Sequence, residues 1–357
     1  MMRAGALVLL AMVPLARAEG AWVSYEMGDR AVVAHLTAAG AAEAVEFRTL
    51  STFGQSDSSI AVVGREGSVS SLVVIDKRNP ANLVRWPIMD LPQAWLSGPI
   101  PDVLLRGDFA YLLTLNMRED GRPVSPRDPF RLTRIALRDG AATAYPLGAR
   151  FANPRLRTLD GSAVVTDWSG IAVSTLAPSG TELMPLIGES DLTDILPTEL
   201  GEREHPTLPY DSWSDYITVP GAGLFRLSKI GELQHITDAK LHVLPAPHAT
   251  VNVGPARSVR MLLAARADEH PAVAVITESE GKIRAAFVAA GATKITFEMQ
   301  LPQSASPQSV VASGSNSLTF IDTASRSVTR QDDAGVRTIA QFPAGAALGE
   351  ARILSLD

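Results

Sequence analysis

Histidines are the residues of this sequence best suited to metal binding or proton transfer, and the chain has six of them. Neutral imidazole is the commonest metal ligand, and it also exchanges protons near neutral pH. Four lie in segments that read as loops, namely His205, His242, His248 and His270. Asp268 precedes His270 closely and supplies a candidate oxygen ligand, as do Asp238 and Glu269. These residues predict a divalent-metal site made of His205, His242, His248, His270 and Asp268.

The competing interpretation is that these loop histidines are simply solvated. The sequence contains no HExxH or H-x-H spacing, which would mark a metal site more specifically. His35 and His235 stand apart because each falls within a predicted strand. We expect both to be packed residues whose ring nitrogens are satisfied inside the fold.

A second group of residues has the chemistry of a partner-binding surface. Tryptophan, tyrosine and arginine are enriched where proteins bind one another, and guanidinium groups pair well with carboxylates. The predicted partner-binding residues are Trp86, Trp95, Arg118, Arg122, Arg127, Trp213 and Tyr216. In the competing interpretation the aromatic rings pack between structural elements, and the loop arginines pair with nearby acids or water.

Several classes of chemistry are excluded or disfavoured by what the sequence lacks. Cysteine is absent, which excludes disulfides, thiolate metal sites, cysteine nucleophiles and covalent haem attachment. No G-x-S-x-G, P-loop or dinucleotide G-x-G-x-x-G motif is present, so no nucleotide cofactor is expected. The net charge of −6 gives no reason to expect nucleic acid as a partner. A non-catalytic protein is favoured over an enzyme.

The elements that must position these residues are short strands in series. Predicted strand pairs recur about every 38–54 residues, a period typical of propeller blades. The clearest unit is 310–330, where the strand beginning at Val310 is followed by a turn at Gly314 and Asn316. Residues 318–322 then alternate apolar and polar side chains, which is the pattern of a half-buried strand.

Two segments carry a resemblance to known repeats. NSLTFIDTASRSVT, at 316–329, resembles the bacterial YVTN-type repeat, and SLVVIDKRNPANLV, at 71–84, resembles the LVIVD-type repeat. The resemblance implies an all-β fold, a single seven-bladed β-propeller, although six or eight blades also fit the period. It also allows a role as a non-catalytic subunit, because similar propellers form the β-chain of bacterial quinoprotein amine dehydrogenases.

The strand pattern predicts how the blades divide the chain. We expect three strands each in blade 2 (60–63, 72–76, 83–86), blade 3 (103–106, 109–115, 132–137) and blade 5 (216–219, 224–227, 233–236). Blade 6 is expected to begin with 251–253. The C-terminal strand at 352–356 is expected to pair with 22–25 in blade 1, because a propeller must close its ring.

Five long connections are predicted to decorate one face of the propeller. In a blade, connections between the second and third strands share a face with those between blades. We assign to this face the segments 87–100, 116–129, 188–212, 237–250 and 266–271. Binding residues concentrate on loops held by a rigid scaffold, so this face is the expected binding surface.

The N-terminal segment reads as a targeting signal. Arg3 precedes an apolar run at 4–15, and Ala16-Arg17-Ala18 matches an A-x-A cleavage site. We expect a signal peptide at 1–18 and one propeller domain at 19–357. The mature protein is expected to be periplasmic or secreted without membrane insertion.

Two functions remain open at this point. In the first, the propeller is a scaffold that binds another periplasmic protein. In the alternative, it is a metal-dependent or small-ligand enzyme, such as a lactonase-like hydrolase, with its site at the channel mouth.

Overall fold

The computed structural model describes residues 19–67, 69–88, 102–115, 130–147, 155–159, 162–166, 172–176, 183–185, 213–219, 221–228, 231–237, 247–254 and 259–357. These residues form 28 strands. In chain order they are β1 (Gly20–Met27), β2 (Arg30–Thr37), β3 (Gly40–Phe47), β4 (Thr49–Gln55), β5 (Ser59–Glu66), β6 (Val69–Asp76), β7 (Asn79–Ile88), β8 (Asp102–Arg106), β9 (Phe109–Leu115), β10 (Phe130–Ala136), β11 (Ala142–Leu147), β12 (Arg155–Leu159), β13 (Ser162–Thr166), β14 (Ala172–Leu176), β15 (Leu183–Pro185), β16 (Trp213–Val219), β17 (Gly223–Ser228), β18 (Glu232–Ile236), β19 (Ala249–Asn252), β20 (Val259–Ala267), β21 (His270–Ser279), β22 (Lys282–Ala289), β23 (Phe297–Leu301), β24 (Ala305–Ala312), β25 (Leu318–Asp322), β26 (Ser327–Asp332), β27 (Gly335–Gln341) and β28 (Ala347–Leu356).

The described strands assemble into seven four-stranded antiparallel sheets. The first sheet has the order β28–β1–β2–β3, and the second runs from β4 to β7. The third to seventh sheets follow as β8–β11, β12–β15, β16–β19, β20–β23 and β24–β27. This is the architecture of a β-propeller. Among the described residues, no helix has the length and hydropathy needed to cross a membrane.

The C-terminal strand β28 pairs antiparallel with β1, at the edge of the first sheet. Val23 lies opposite Ile353, and Ser24 lies opposite Arg352. The expected pairing between 352–356 and 22–25 is therefore present. Two register irregularities interrupt this ladder, so the two strands do not pair continuously along their length.

Packing between neighbouring sheets forms the core, and β28 contributes to two of its layers. Ile353 is buried in the same cluster as Tyr25 and Phe342, and this cluster also contains residues of the seventh sheet. Leu354 is buried with Trp22 and other residues that border the second sheet. Successive residues of a strand point to opposite faces, so one strand joins both layers.

The turn between β25 and β26 shows why the 316–329 segment forms a tight hairpin. The Asp322 carboxylate accepts hydrogen bonds from the backbone N–H of Ala324 and from both the backbone and the hydroxyl of Ser325. Burial alone would raise the pKa of Asp322, but hydrogen bonds, from Ser304 and Ser325 among others, outweigh it and lower that pKa. The folded turn therefore stabilises the charged carboxylate.

The predicted blade boundaries need correction in four sheets. Residues 251–253 were expected to open blade 6, but β19 pairs with β18 as the last strand of the fifth sheet. The expected three-stranded blades are also wrong, because β4, β11 and β19 complete the second, third and fifth sheets. In the sixth sheet β23 takes the fourth position.

The corrected boundaries change which connections share a face. We define the upper end of a sheet as the end at which its first strand finishes, and the lower end as the opposite one. Because neighbouring strands are antiparallel, turns between first and second or third and fourth strands lie at the upper end. The remaining connections lie at the lower end.

The expectation of one face for all five long connections is therefore wrong. The connection from β18 to β19 and the turn from β20 to β21 belong to the upper end of their sheets. The connections that contain 89–101, 116–129 and 186–212 join strands at the lower end. The described strand ends beside 237–250 and 266–271 are thus at the end of their sheets opposite to those beside 116–129. Residues 116–129 and 238–246 themselves lie outside the described residues.

Candidate functional site

Two turns at the upper end of the sixth and seventh sheets meet in a polar cluster. We call residues 266–270 and 313–317 together the turn pair. The backbone N–H of Asn316 donates to the Arg266 carbonyl at 3.1 Å, and the N–H of Glu269 donates to Ser315 Oγ at 2.9 Å. Asn316 Nδ2 donates to Asp268 Oδ1 at 2.8 Å. These contacts fix the two turns against each other.

The backbone of the turn pair is held in an uncommon conformation. Asp268, Glu269 and Asn316 have positive φ angles of 46°, 68° and 48°. This left-handed region is sparsely populated for residues other than glycine, and such residues cluster at functional sites. The cross-turn hydrogen bonds provide the constraint that keeps them there.

The charges of the turn pair are unequally compensated. Arg266 Nη2 donates to the Glu269 carbonyl at 2.6 Å and lies 3.2 Å from the Glu269 carboxylate. Within the described residues, the Asp268 carboxylate has the neutral amide of Asn316 as its partner and no ion pair. Asn316 is 8 % exposed, and its buried Oδ1 has no hydrogen-bond partner in the described part of the chain.

The predicted metal ligands are only partly brought together. Asp268 and His270 share the turn between β20 and β21, with His270 exposed at the start of β21. His248 is exposed beside β19, where its ring meets the edge of the His235 ring at 5.8 Å between centroids. His205 and His242 lie outside the described residues. In the described residues, no group of three or more histidines and acids could hold a metal ion.

His235 has the packed and satisfied environment expected of it. The ring is 5 % exposed and stacks on Phe225 with 4.4 Å between centroids. Nδ1 accepts a hydrogen bond from the Gly291 backbone at 2.9 Å, and Nε2 lies 2.7 Å from the Ala222 carbonyl. These partners require the neutral tautomer with a proton on Nε2. The hydrogen bond from Gly291 links the fifth sheet to the sixth.

His35 joins the C-terminal residue to the first sheet, a contact that the sequence did not predict. Its Nε2 lies 2.9 Å from Asp357 Oδ2, and its ring stacks on Trp22. Gly20 lies beneath this contact, where a Cβ atom would come within 2.5 Å of Nε2 and 2.6 Å of Oδ2. Burial lowers the pKa of the neighbouring Lys77, while Asp57 and Asp357 oppose that change.

The predicted partner-binding residues are scattered in the described structure. Trp86 is half-buried in β7, and its indole lies against Gly140, where an added Cβ would approach it to 2.2 Å. Trp213 and Tyr216 belong to β16, opposite Ser228 and Arg226. Trp95, Arg118, Arg122 and Arg127 lie outside the described residues. The position of Trp86 matches the competing interpretation, in which the ring packs between sheets.

The lower end shows a contrast in the connections between second and third strands. In the first and sixth sheets these connections are tight turns at 28–29 and 280–281, and in the seventh sheet at 323–326. In the third sheet the same position holds residues 116–129, although Leu115 and Phe130 still pair at the base of the hairpin. The hairpin of β9 and β10 is therefore intact up to the residues that flank the insertion.

No protein-family model and no curated protein matches this sequence. Among solved structures, a functionally unknown protein from Desulfotomaculum acetoxidans shares 14 % identity, covering 92 % of this chain and 98 % of that chain, with a TM-score of 0.53. A catalytically inactive virginiamycin B lyase from Staphylococcus aureus, with quinupristin, shares 9 % identity over 82 % of this chain and 84 % of that chain, with a TM-score of 0.47.

A WD40 domain from Toxoplasma gondii coronin shares 9 % identity, covering 91 % of this chain and 78 % of that chain, with a TM-score of 0.45. At such low identity the likeness concerns the fold and carries no activity. The chain has a β-propeller fold.

Proposed function

We propose that this chain is a closed seven-bladed propeller, exported from the cytoplasm, that acts as a non-catalytic scaffold and binds a partner protein at its lower end. Each of the seven sheets corresponds to one blade in this proposal. The blades belong to the YVTN and LVIVD class of repeats, since the two resembling segments coincide with the hairpins β25–β26 and β6–β7.

Contacts among the first strands support ring closure. β4 contacts β8, β8 contacts β12, and the same relation continues through β16, β20 and β24. β24 contacts β28, and β28 contacts β4, so the sequence of contacts returns to its start. The hydroxyl of Ser309 in β24 also donates to the Ala351 carbonyl in β28. The C-terminal strand thus completes the first blade between the seventh and second.

The observation that carries the binding proposal is the 116–129 insertion. A tight turn is sufficient at the same position of the first and sixth sheets, so the third sheet does not need this segment for folding. The segment contains Arg118, Arg122 and Arg127 with three acids, which suits polar pairing with a protein surface. The connections containing 89–101 and 186–212 join strands at the same end and extend the available surface.

The test replaces 116–129 with the Gly28-Asp29 turn that joins β1 to β2. Wild type and variant would carry the same C-terminal affinity tag and be produced in the cell that encodes the protein. We expect the wild type to retain one periplasmic protein in stoichiometric amount and the variant to lose it. His248→Ala, at the upper end, is the matched control and should retain the partner.

Capture of the same protein by the short-turn variant would refute the proposed surface. Circular dichroism and thermal melting would establish that the variant is folded before its capture is compared. Fractionation of the same cells tests export directly, because a cytoplasmic and uncleaved chain would contradict the proposed location.

A further inference from the structure

The turn pair has one polar atom that its own hydrogen bonds do not explain. The amide of Asn316 is more than nine-tenths buried, and Nδ2 donates to Asp268. Oδ1 belongs to the same planar amide group, so it also lies within a few ångström of the Asp268 carboxylate. Leaving a buried acceptor unsatisfied is unfavourable, which indicates that a donor or a cation belongs at this position.

The local charge favours a cation over a neutral donor. Arg266 pairs with the carboxylate and the carbonyl of Glu269. The Asp268 carboxylate has no ion-pair partner among the described residues. A carboxylate oxygen and an amide oxygen close together, both on turns, are ligands that hard cations prefer.

We propose that the turn pair binds a calcium ion, with the Asp268 carboxylate and Asn316 Oδ1 as its side-chain ligands. Calcium accepts irregular sets of oxygen ligands that include backbone carbonyls and water, whereas magnesium requires near-octahedral geometry. A site with one uncompensated carboxylate should be weak, with a Kd of about 10⁻⁴ to 10⁻³ M, as in extracellular calcium modules. The ion links the turn of the sixth sheet to the turn of the seventh sheet.

Calorimetric titration of the full mature chain with calcium chloride tests this site. We expect one equivalent of binding in the wild type and at least a tenfold loss of affinity in Asp268→Asn and Asn316→Ala. Asp139→Asn is the control, because the Asp139 carboxylate also lies in a turn and accepts a hydrogen bond there, from the backbone N–H of Ala141 in the third sheet. Magnesium chloride at the same concentration should bind more weakly.

Asn316→Asp separates ion binding from a purely structural role. This variant replaces the Asn316–Asp268 hydrogen bond with two facing carboxylates, so its melting temperature in chelator should fall below that of the wild type. Saturating calcium should restore it, while the wild type should rise by about 2 °C at ten times Kd. Equal melting of Asn316→Asp with and without calcium, or an unchanged titration in Asp268→Asn, would overturn the proposal.

Discussion

Shortening Ile353 or Leu354, two of the buried side chains of β28, is expected to destabilise the whole propeller. Ile353 is 3 % exposed and Leu354 is 1 % exposed, and they pack into different inter-sheet layers. Replacing a buried Ile or Leu with Ala typically costs 2–5 kcal/mol, depending on how far the surroundings relax. Each layer is held by strands of two sheets, which limits relaxation, so we expect a loss of about 3 kcal/mol for each variant.

Urea unfolding followed by tryptophan fluorescence measures this loss. Trp22 reports on the transition because it is fully buried in the same cluster as Leu354. The unfolding midpoint should fall in Ile353→Ala and Leu354→Ala with an unchanged slope, since the slope reflects the surface exposed by the complete unit. Arg352→Ala is the control in the same strand, because its exposed side chain should change stability by less than about 0.5 kcal/mol.

The reasoning fails if both core variants unfold at the wild-type midpoint. It also fails if hydrogen exchange accelerates in β28 alone while the remaining sheets keep their protection. Either result would mean that β28 frays from a stable ring that does not depend on it. A loss shared by amides of the second and seventh sheets would instead show that the C-terminal strand closes the structure.

Two further predictions concern particular contacts at the edges of this core. Gly20→Ala should displace the His35–Asp357 contact and lower the free energy of unfolding in urea by about 1–3 kcal/mol. Gly349→Ala is the control and should not lower it, because a Cβ atom at Gly349 would meet open space. Equal effects of the two substitutions would contradict the steric argument. Asp322→Asn should cost about 1 kcal/mol at pH 7. Because the folded pKa of Asp322 is lowered, its stabilising effect is present above the ordinary aspartate pKa of about 4 and is lost as pH falls through the folded value. The difference between wild type and this variant should therefore shrink below about pH 4, and a constant difference would contradict the assignment.

Alternation of apolar and polar residues located β25, but the expected half-burial is wrong. Leu318, Thr319, Phe320 and Ile321 are all fully buried, so β25 is covered on both faces. The C-terminal strand was also located from its sequence, although Ile353 and Leu354 are both buried, on opposite faces, beside exposed Arg352. The propeller fold was therefore readable from periodicity and from two repeat-like segments.

The missed strand β4 lacks a buried face, whereas β23 was missed although its residues alternate between the core and solvent. β4 has no buried residue, and its side chains are half-buried or exposed throughout. A first strand lies innermost in its blade, so its surroundings do not select for alternating large apolar residues. Glycine is needed there for a different reason, since a Cβ at Gly54 would approach the Val103 carbonyl to 2.4 Å. The local pattern of a single sequence does not reveal such contacts between sheets.

The turn pair was missed because its members are distant in sequence and ordinary in type. Asp268 was selected as a metal ligand with histidines, but the structure gives it Asn316 as its neighbour. Nothing in the sequence around Asn316 beyond its turn propensity marks it as a partner. The left-handed conformations of both residues arise from hydrogen bonds between sheets, which local patterns do not encode.

An error of one strand also has a large effect on functional inference in this fold. Assigning 251–253 to the sixth sheet moved the 237–250 connection from the upper to the lower end, because antiparallel neighbours alternate direction. That shift assigned the predicted metal-binding histidines and the predicted partner-binding arginines to one surface. With β19 in the fifth sheet, His248 lies at the upper end, whereas Leu115 and Phe130, which flank 116–129, lie at the lower end. We therefore expect the proposed partner binding and the proposed calcium binding to be independent, so that each can be removed without the other.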